Sequence, residues 1–287
     1  MEINGWRYYN HAAIPTAAPH ELPDVSPVED KSIWEISGGT PLLARWTTEF
    51  DCGYETNWWY LIREAPFDIE AISSKERKSI RQALRKSYAK KIDAKNYGEE
   101  LYECYLSAHE KYETADNLHT KETFKELTEN EVDCWAGFDV ETDRLIGYMT
   151  VASYDSYAEI KAAKFDPNYF KQQVSDTLYM AVLSYYLGEC NKNYVCSGSR
   201  NINHKTGTQE YKIRRFGYRK AYCRLHIEYN PKVKRIIKFL YVFRKPLLWL
   251  DKITFIHQIN AVLLMENLAR ENKHQAICEG KQAEEKV

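Results

Sequence analysis

Residues 196–206 of this 287-residue chain read CSGSRNINHKT, a run of small residues ending in Arg200, Asn201, Asn203 and His204. Such a loop, placed beyond a strand end, collects groups that can act on a ligand. The planar fork of Arg200 can grip a carboxylate or phosphate, Asn201 can add a hydrogen bond, and His204 can move a proton near neutral pH. The plainer reading is that Asn and Ser make a turn and cap the helix that follows. Tyr218 and Tyr222, four apart in a strand-like stretch, fall on one face; either can serve as a general acid, or both simply pack. A third group is SSKERKSIRQALRKS (73–87), which sets six cations against the single carboxylate Glu76 between 75 and 86. It suits a polyanion, or a solvated helix face. Seven scattered cysteines form no CxxC pair and no histidine cluster completes a metal set, so reduced, packed thiols and no metal are expected.

The elements that would position these groups can be read from periodicity. Residues 10–32 carry Pro15, Pro19, Pro23 and Pro27 and read as an extended loop. PLLARWTTEF (41–50) and NWWYLIRE (57–64), with Asp51-Cys52-Gly53 between them, predict a strand hairpin. Helices are predicted over 73–87, 96–113 and 121–130. Then come strands at 132–140, 145–157 and 158–165, a helix at 175–191 capped by Ser175, a short strand at 194–200, a helix at 206–217 stopped by Gly217, and a strand at 218–229.

Composition sets the broad class. A hydrophobic fraction of 44%, a charged fraction of 28% and a net charge of −1 suit a globular protein and argue against a dedicated non-specific DNA binder. The N-terminus lacks a secretory leader's pattern, and no apolar run reaches about 18 residues, so a cytoplasmic protein is expected. Residues 233–270 are aromatic, aliphatic and basic. They read as helices covering the domain, or as an amphipathic segment (233–255) meeting the inner face of a membrane. The acidic end, 279–287, reads as a disordered tail.

The order of elements from 131, with the basic helix SSKERKSIRQALRK, the hairpin WAGFDVETDRLIGYMTVASYD and the corner QEYKIRRFGYRKAY, resembles the GNAT acyltransferase superfamily, and within it the FemAB-like branch. The resemblance covers about 73–229 and includes the glycine pair Gly137 and Gly147. It implies an α+β fold with a mixed, mostly antiparallel central sheet flanked by helices. The parts expected are a strand hairpin in 1–72, the GNAT-like domain in 73–230, a helical extension in 231–278 and the tail.

The resemblance also implies a chemistry: transfer of an acyl group from a thioester such as acyl-CoA, or of an aminoacyl group from a charged tRNA, to a small-molecule amine. A precursor of a cell-surface polysaccharide or of peptidoglycan is the implied acceptor, and no cofactor is held tightly. Two strands splay to receive the donor, whose pyrophosphate rests at the start of the next helix. Here that segment, FDPNYFKQQVSD (165–176), has no glycine, and Pro167 removes a donor; Lys171 and Ser175 are left to hold a phosphate. The superfamily's tyrosine four residues before Gly217 is Ile213 here, and the lysine that FemAB-like relatives place there is one residue off, at Lys212, turned about 100° around the helix and counted with the donor-binding residues. Glu159, opening the third strand beside the splay, is the expected base. Two alternatives follow from the departures: a binding protein that kept the fold without catalysis, and a tRNA-dependent transferase docking its tRNA on the 73–87 helix.

Overall fold

The computed structural model describes residues 3, 5–111, 118–130, 132–201, 207–251, 253, 256–257 and 259–271. In chain order the strands and helices begin with β1 (Trp6–Tyr9), β2 (Ala12–Pro15), α1 (Ser26–Glu29), β3 (Leu43–Thr48), β4 (Trp58–Arg63), α2 (Ser74–Lys86) and β5 (Ser87–Ile92). There follow α3 (Gly98–Lys111), α4 (Lys121–Glu129), β6 (Asp133–Asp139), β7 (Leu145–Ser153) and β8 (Tyr157–Phe165). The last are α5 (Val174–Leu183), β9 (Tyr194–Ser199), α6 (Thr208–Phe216), β10 (Arg219–Tyr229), α7 (Pro231–Val242) and α8 (Arg244–Trp249). The fold is mixed α+β, with mostly antiparallel sheet flanked by helices.

The chain divides into two compact units: 1–60 with 199–206 and 220–287, and 61–198 with 207–219. In the second unit β5, β6, β7 and β8 pair antiparallel in sequence, and β8 pairs parallel with β9. From β6 onward the order three strands, helix, strand, helix, strand is the one on which the sequence resemblance rests, and β5 precedes it as a strand the sequence did not announce. Alternation along the strands gives this sheet two apolar faces. Met149, Val151, Ala158 and Ile160 join Leu178, Val182 and Phe216 in one core. Cys134, Ala136, Phe138 and Tyr148 join Leu101, Cys104 and Phe124 in the other.

The glycine pair has a packing reason. Gly137 sits opposite Gly147, and a Cβ on Gly137 would lie 2.3 Å from Val174 Cγ2, so the missing side chains let the first turn of α5 press onto the strands. Gly217 caps α6 with φ 63°, and Arg63 donates from Nη1 to its carbonyl (3.1 Å) and from Nη2 to that of Pro66 (3.1 Å).

In the first unit β1 pairs antiparallel with β2, β2 parallel with β3, and β3 antiparallel with β10. Three expectations change. The segments 41–50 and 57–64 do form strands, but β10 lies between β3 and β4, so they are not hairpin partners. The hairpin of this unit is instead β1–β2, whose turn and second strand fall in what read as a loop over 10–32; its two-residue turn, Asn10 (φ 45°) and His11 (φ 60°), has the left-handed pair that matches strand twist. Ser175 is not the cap of α5: Gln173 occupies that position at φ 55°, two residues earlier, directly after the 3-10 turns of Pro167–Gln172. Among the described residues no helix is long and apolar enough to cross a membrane. The 279–287 tail lies outside the described residues.

Candidate active site

The β8–β9 ladder is short. Its pairs are Tyr157 with Tyr194, Ala158 with Val195 and Glu159 with Cys196, and there it ends, although β8 runs on to Phe165 and β9 to Ser199. Two local features open the strands. The register slips between Thr150 and Val151, where Thr150 faces Ala162 but Val151 faces Ile160, leaving Lys161 as an extra residue on β8. On β9, Gly198 takes φ 87°, a left-handed conformation that side-chain-bearing residues rarely adopt, and bends the strand two residues past the last pair.

Different groups stand on the two sides of this opening. Ala158 and Ile160 belong to the core under α5, so Glu159 between them faces the α3–α4 side, where its cross-strand neighbour is Ala152. Its carboxylate accepts from Lys161 Nζ, and its side chain is 26% exposed. The same side holds a cleft of about 110 Å³ whose lining includes Tyr105, His109, His119, Phe124, Tyr148 and Thr150. Tyr105 stacks on Phe124 (5.0 Å) and on His119 (6.0 Å), so the cleft is largely aromatic.

On the α5–α6 side Lys212 is 9% exposed, donates from Nζ to Ser197 Oγ at 2.6 Å, and lies 5.6 Å from the ring of Tyr179. No carboxylate pairs with it among the described residues. Tyr218, 2% exposed, packs edge-on to Tyr179 at 6.4 Å, and its hydroxyl has no hydrogen-bond partner there. Burial, then the neighbouring Tyr179, holds this phenol well above its ordinary range, so it is protonated at neutral pH. A buried hydroxyl without a partner costs about 1–3 kcal/mol, and together with a buried cation lacking a counter-ion it marks a place built for something else to complete. Cys196, fully buried at the last pair of the ladder, has its thiol pushed up to about 12 by burial and by the nearby Glu159 carboxylate. It is no nucleophile at neutral pH.

The start of α5, where a donor's phosphates were expected, carries a buried acid in its first turn. Asp176 in its first turn is buried, accepts from Arg215 Nε at 3.1 Å and also from Arg215 Nη2, and takes a hydrogen bond from the Tyr211 hydroxyl. Arg215 Nη2 also donates to Ser79 Oγ at 2.8 Å. A carboxylate at this end of a helix is favourable in its own right, and here its oxygens are turned to Arg215 and Tyr211. Ser175 bonds the Tyr211 hydroxyl at 3.2 Å, while the side chain of Lys171 is exposed and its carbonyl accepts from Lys86 Nζ.

No protein-family model matches the chain, and no curated protein does. Solved structures do. The chain is similar to L-PGS from Bacillus licheniformis, with 12% identity, 82% of this chain and 83% of that one covered, and a TM-score of 0.49. It is similar also to the C-terminal DUF2156 domain of a protein from Agrobacterium fabrum named as a lysylphosphatidylglycerol synthetase (12%, 79% and 81%, 0.47). A third is a GCN5-related N-acetyltransferase from Sphaerobacter thermophilus (12%, 60% and 51%, 0.42).

The expected site residues divide. Glu159 stands on one side of the opening in the second unit and Lys212 and Tyr218 on the other, with Ser175 at the start of α5. Arg200, Asn201 and Tyr222 belong to the first unit. There Arg200 donates from Nη1 to Asn57 O at 2.6 Å and lies 4.7 Å from the Trp59 ring, Asn201 is exposed, and the Tyr222 hydroxyl donates to Glu55 at 3.1 Å. Tyr218 precedes β10, so the shared face expected of Tyr218 and Tyr222 is not formed. His204 lies outside the described residues. Sequence reasoning missed Lys161, Ser197 and Tyr179; the first was findable two residues from Glu159, the others only through tertiary contact. Among the described residues no cluster of His, Cys, Asp and Glu suited to a metal occurs. The 73–87 helix spends half of its charge internally: Arg77 and Arg81 pair with Glu70, and Lys86 with the Lys171 carbonyl.

Proposed function

We propose that the protein is an N-acyltransferase of FemAB-like type that moves an acyl or aminoacyl group directly onto an amine. The observation that carries this reading is the early end of the β8–β9 ladder, with a carboxylate on one side of the opening and a buried lysine and an unpartnered phenol on the other. In this reading the amine enters from the aromatic–histidine cleft and attacks the donor carbonyl between the strands. Glu159 takes the amine's proton. Lys212 stabilises the negative charge that develops as the carbonyl is attacked. The carbonyl carbon's bond to the leaving sulfur or oxygen then breaks, and that atom receives a proton from Tyr218, which carries one at neutral pH. The inert Cys196 favours direct transfer over a covalent enzyme intermediate.

The donor is a thioester or a charged tRNA. Asp176 and the glycine-free 165–176 segment favour a donor that does not depend on a pyrophosphate grip at α5. The acceptor class is an amine-bearing precursor of a cell-surface polymer, and the setting a reducing cytoplasm that keeps the free cysteines reduced. The same two features favour a second reading, a binding protein that kept the fold and lost its donor site.

Thermal-shift measurements with acyl-CoAs, coenzyme A and aminoacyl-tRNA separate these readings. Stabilisation by one donor, with Glu159→Gln losing turnover but not that stabilisation, supports transfer. No shift with any of them sinks it and leaves the binding protein.

A further inference from the structure

The first unit carries a surface that the transferase chemistry does not use. Helix α7 is apolar on two sides. Inward, Val233, Ile237, Leu240 and Tyr241 pack with Leu263 and Met265. Outward, Phe239 is 65% exposed and Val242 72%, with Ile236 and Phe243 beside them. The exposed series continues in α8 with Leu248 and with Trp249, 90% exposed, and past it with Leu250 and Ile253. Scattered apolar residues on a surface need no explanation, but a contiguous series of this size along one segment does.

The charges on the same segment are of one sign. Between 231 and 250 there are six cations, Lys232, Lys234, Arg235, Lys238, Arg244 and Lys245, and no carboxylate, in a chain whose net charge is −1. Lys234 pairs with Glu228, and Arg244 lies over the Tyr241 ring. Lys232, Arg235, Lys238 and Lys245 have no carboxylate partner among the described residues. Apolar side chains that find no cover, rimmed by cations that find no counter-ion, fit a surface that is apolar within and anionic at its boundary. A second copy seated face to face would set six cations against six, which disfavours that occupant.

We propose that the α7–α8 face docks on an anionic lipid bilayer. Phe239, Val242, Trp249 and Leu250 enter the boundary between headgroups and acyl chains, while Arg235, Lys238 and Lys245 meet the lipid phosphates. Since no described helix spans a membrane, the contact is peripheral and reversible. The proposal does not rest on the transferase reading.

The test is co-flotation of the full chain with vesicles of phosphatidylcholine alone or with about one third phosphatidylglycerol, at low and high salt. Binding to the anionic vesicles that weakens at high salt is expected. Phe239→Ser with Trp249→Ser should lower it at least about tenfold, as should Arg235→Glu with Lys238→Glu, each with an unchanged circular dichroism spectrum and melting temperature. No flotation at low salt overturns the proposal, and so does equal flotation with both vesicle types. It is also overturned if sedimentation velocity finds an oligomer that the Phe239→Ser, Trp249→Ser protein loses while neither protein floats.

Discussion

Helix α6 carries two buried cations three residues apart, and they live in opposite circumstances. Arg215 has a carboxylate held on two nitrogens, a serine on a third contact and a tyrosine sharing the load on Asp176. Lys212 has one serine hydroxyl and the face of a ring. Burial is alike, 9% exposure in each case, so burial does not distinguish them. Compensation does. A buried charge with a complete set of partners organises the fold, whereas one without a counter-ion is a standing demand for an anionic or electron-rich partner.

That contrast can be broken experimentally. The largest effect is expected from Arg215→Ala, which strands the Asp176 carboxylate and should cost about 3–5 kcal/mol in urea unfolding. Replacing both members by apolar residues of similar volume should recover most of that loss. Lys212→Ala should do the reverse, leaving the unfolding midpoint within about 1 kcal/mol while turnover with the donor found by thermal shift falls about 10²-fold. Equal stability losses for the two variants would erase the distinction between them. Tyr218→Phe removes a hydroxyl that has no partner, so stability should hold or rise by about 1 kcal/mol while turnover drops. A clear loss of stability would mean the hydroxyl is satisfied in the folded protein. The smallest signal concerns Cys196. With its thiol at about 12, only about one in ten thousand is thiolate at pH 8, so alkylation should await unfolding.

What the sequence disclosed follows the range of the forces involved. The hairpin β6–β7, strand β8 and the corner at Gly217 were legible because alternation and a glycine stop are local signals. Strand β5, SYAKKI, was hidden by its two lysines; it is the edge of its sheet, where lysines blunt pairing with other chains. The partnership of β3 with β10 joins residues such as Arg45 and Ile227, and no local pattern encodes so distant a choice. That Glu159 stands near the start of β8 was legible from the strand pattern. The direction of Lys212 was not, because helical spacing fixes an angle about the axis but not which strand end waits there. The boundaries drawn at 72 and 230 are a proposal about independent folding, and limited proteolysis would test them.

The bend at Gly198 has one more consequence. With the ladder ended at Cys196, three residues before the end of β9, β8 and β9 are left as two edges facing each other inside a sheet. An extended ligand with amide groups can lodge there as a strand fragment, matched donor for acceptor by main chain alone. Recognition of that kind is silent to side-chain substitution. Alanine scanning along β8 and β9 would report little of it, while methylating the ligand's own amides would report it at once.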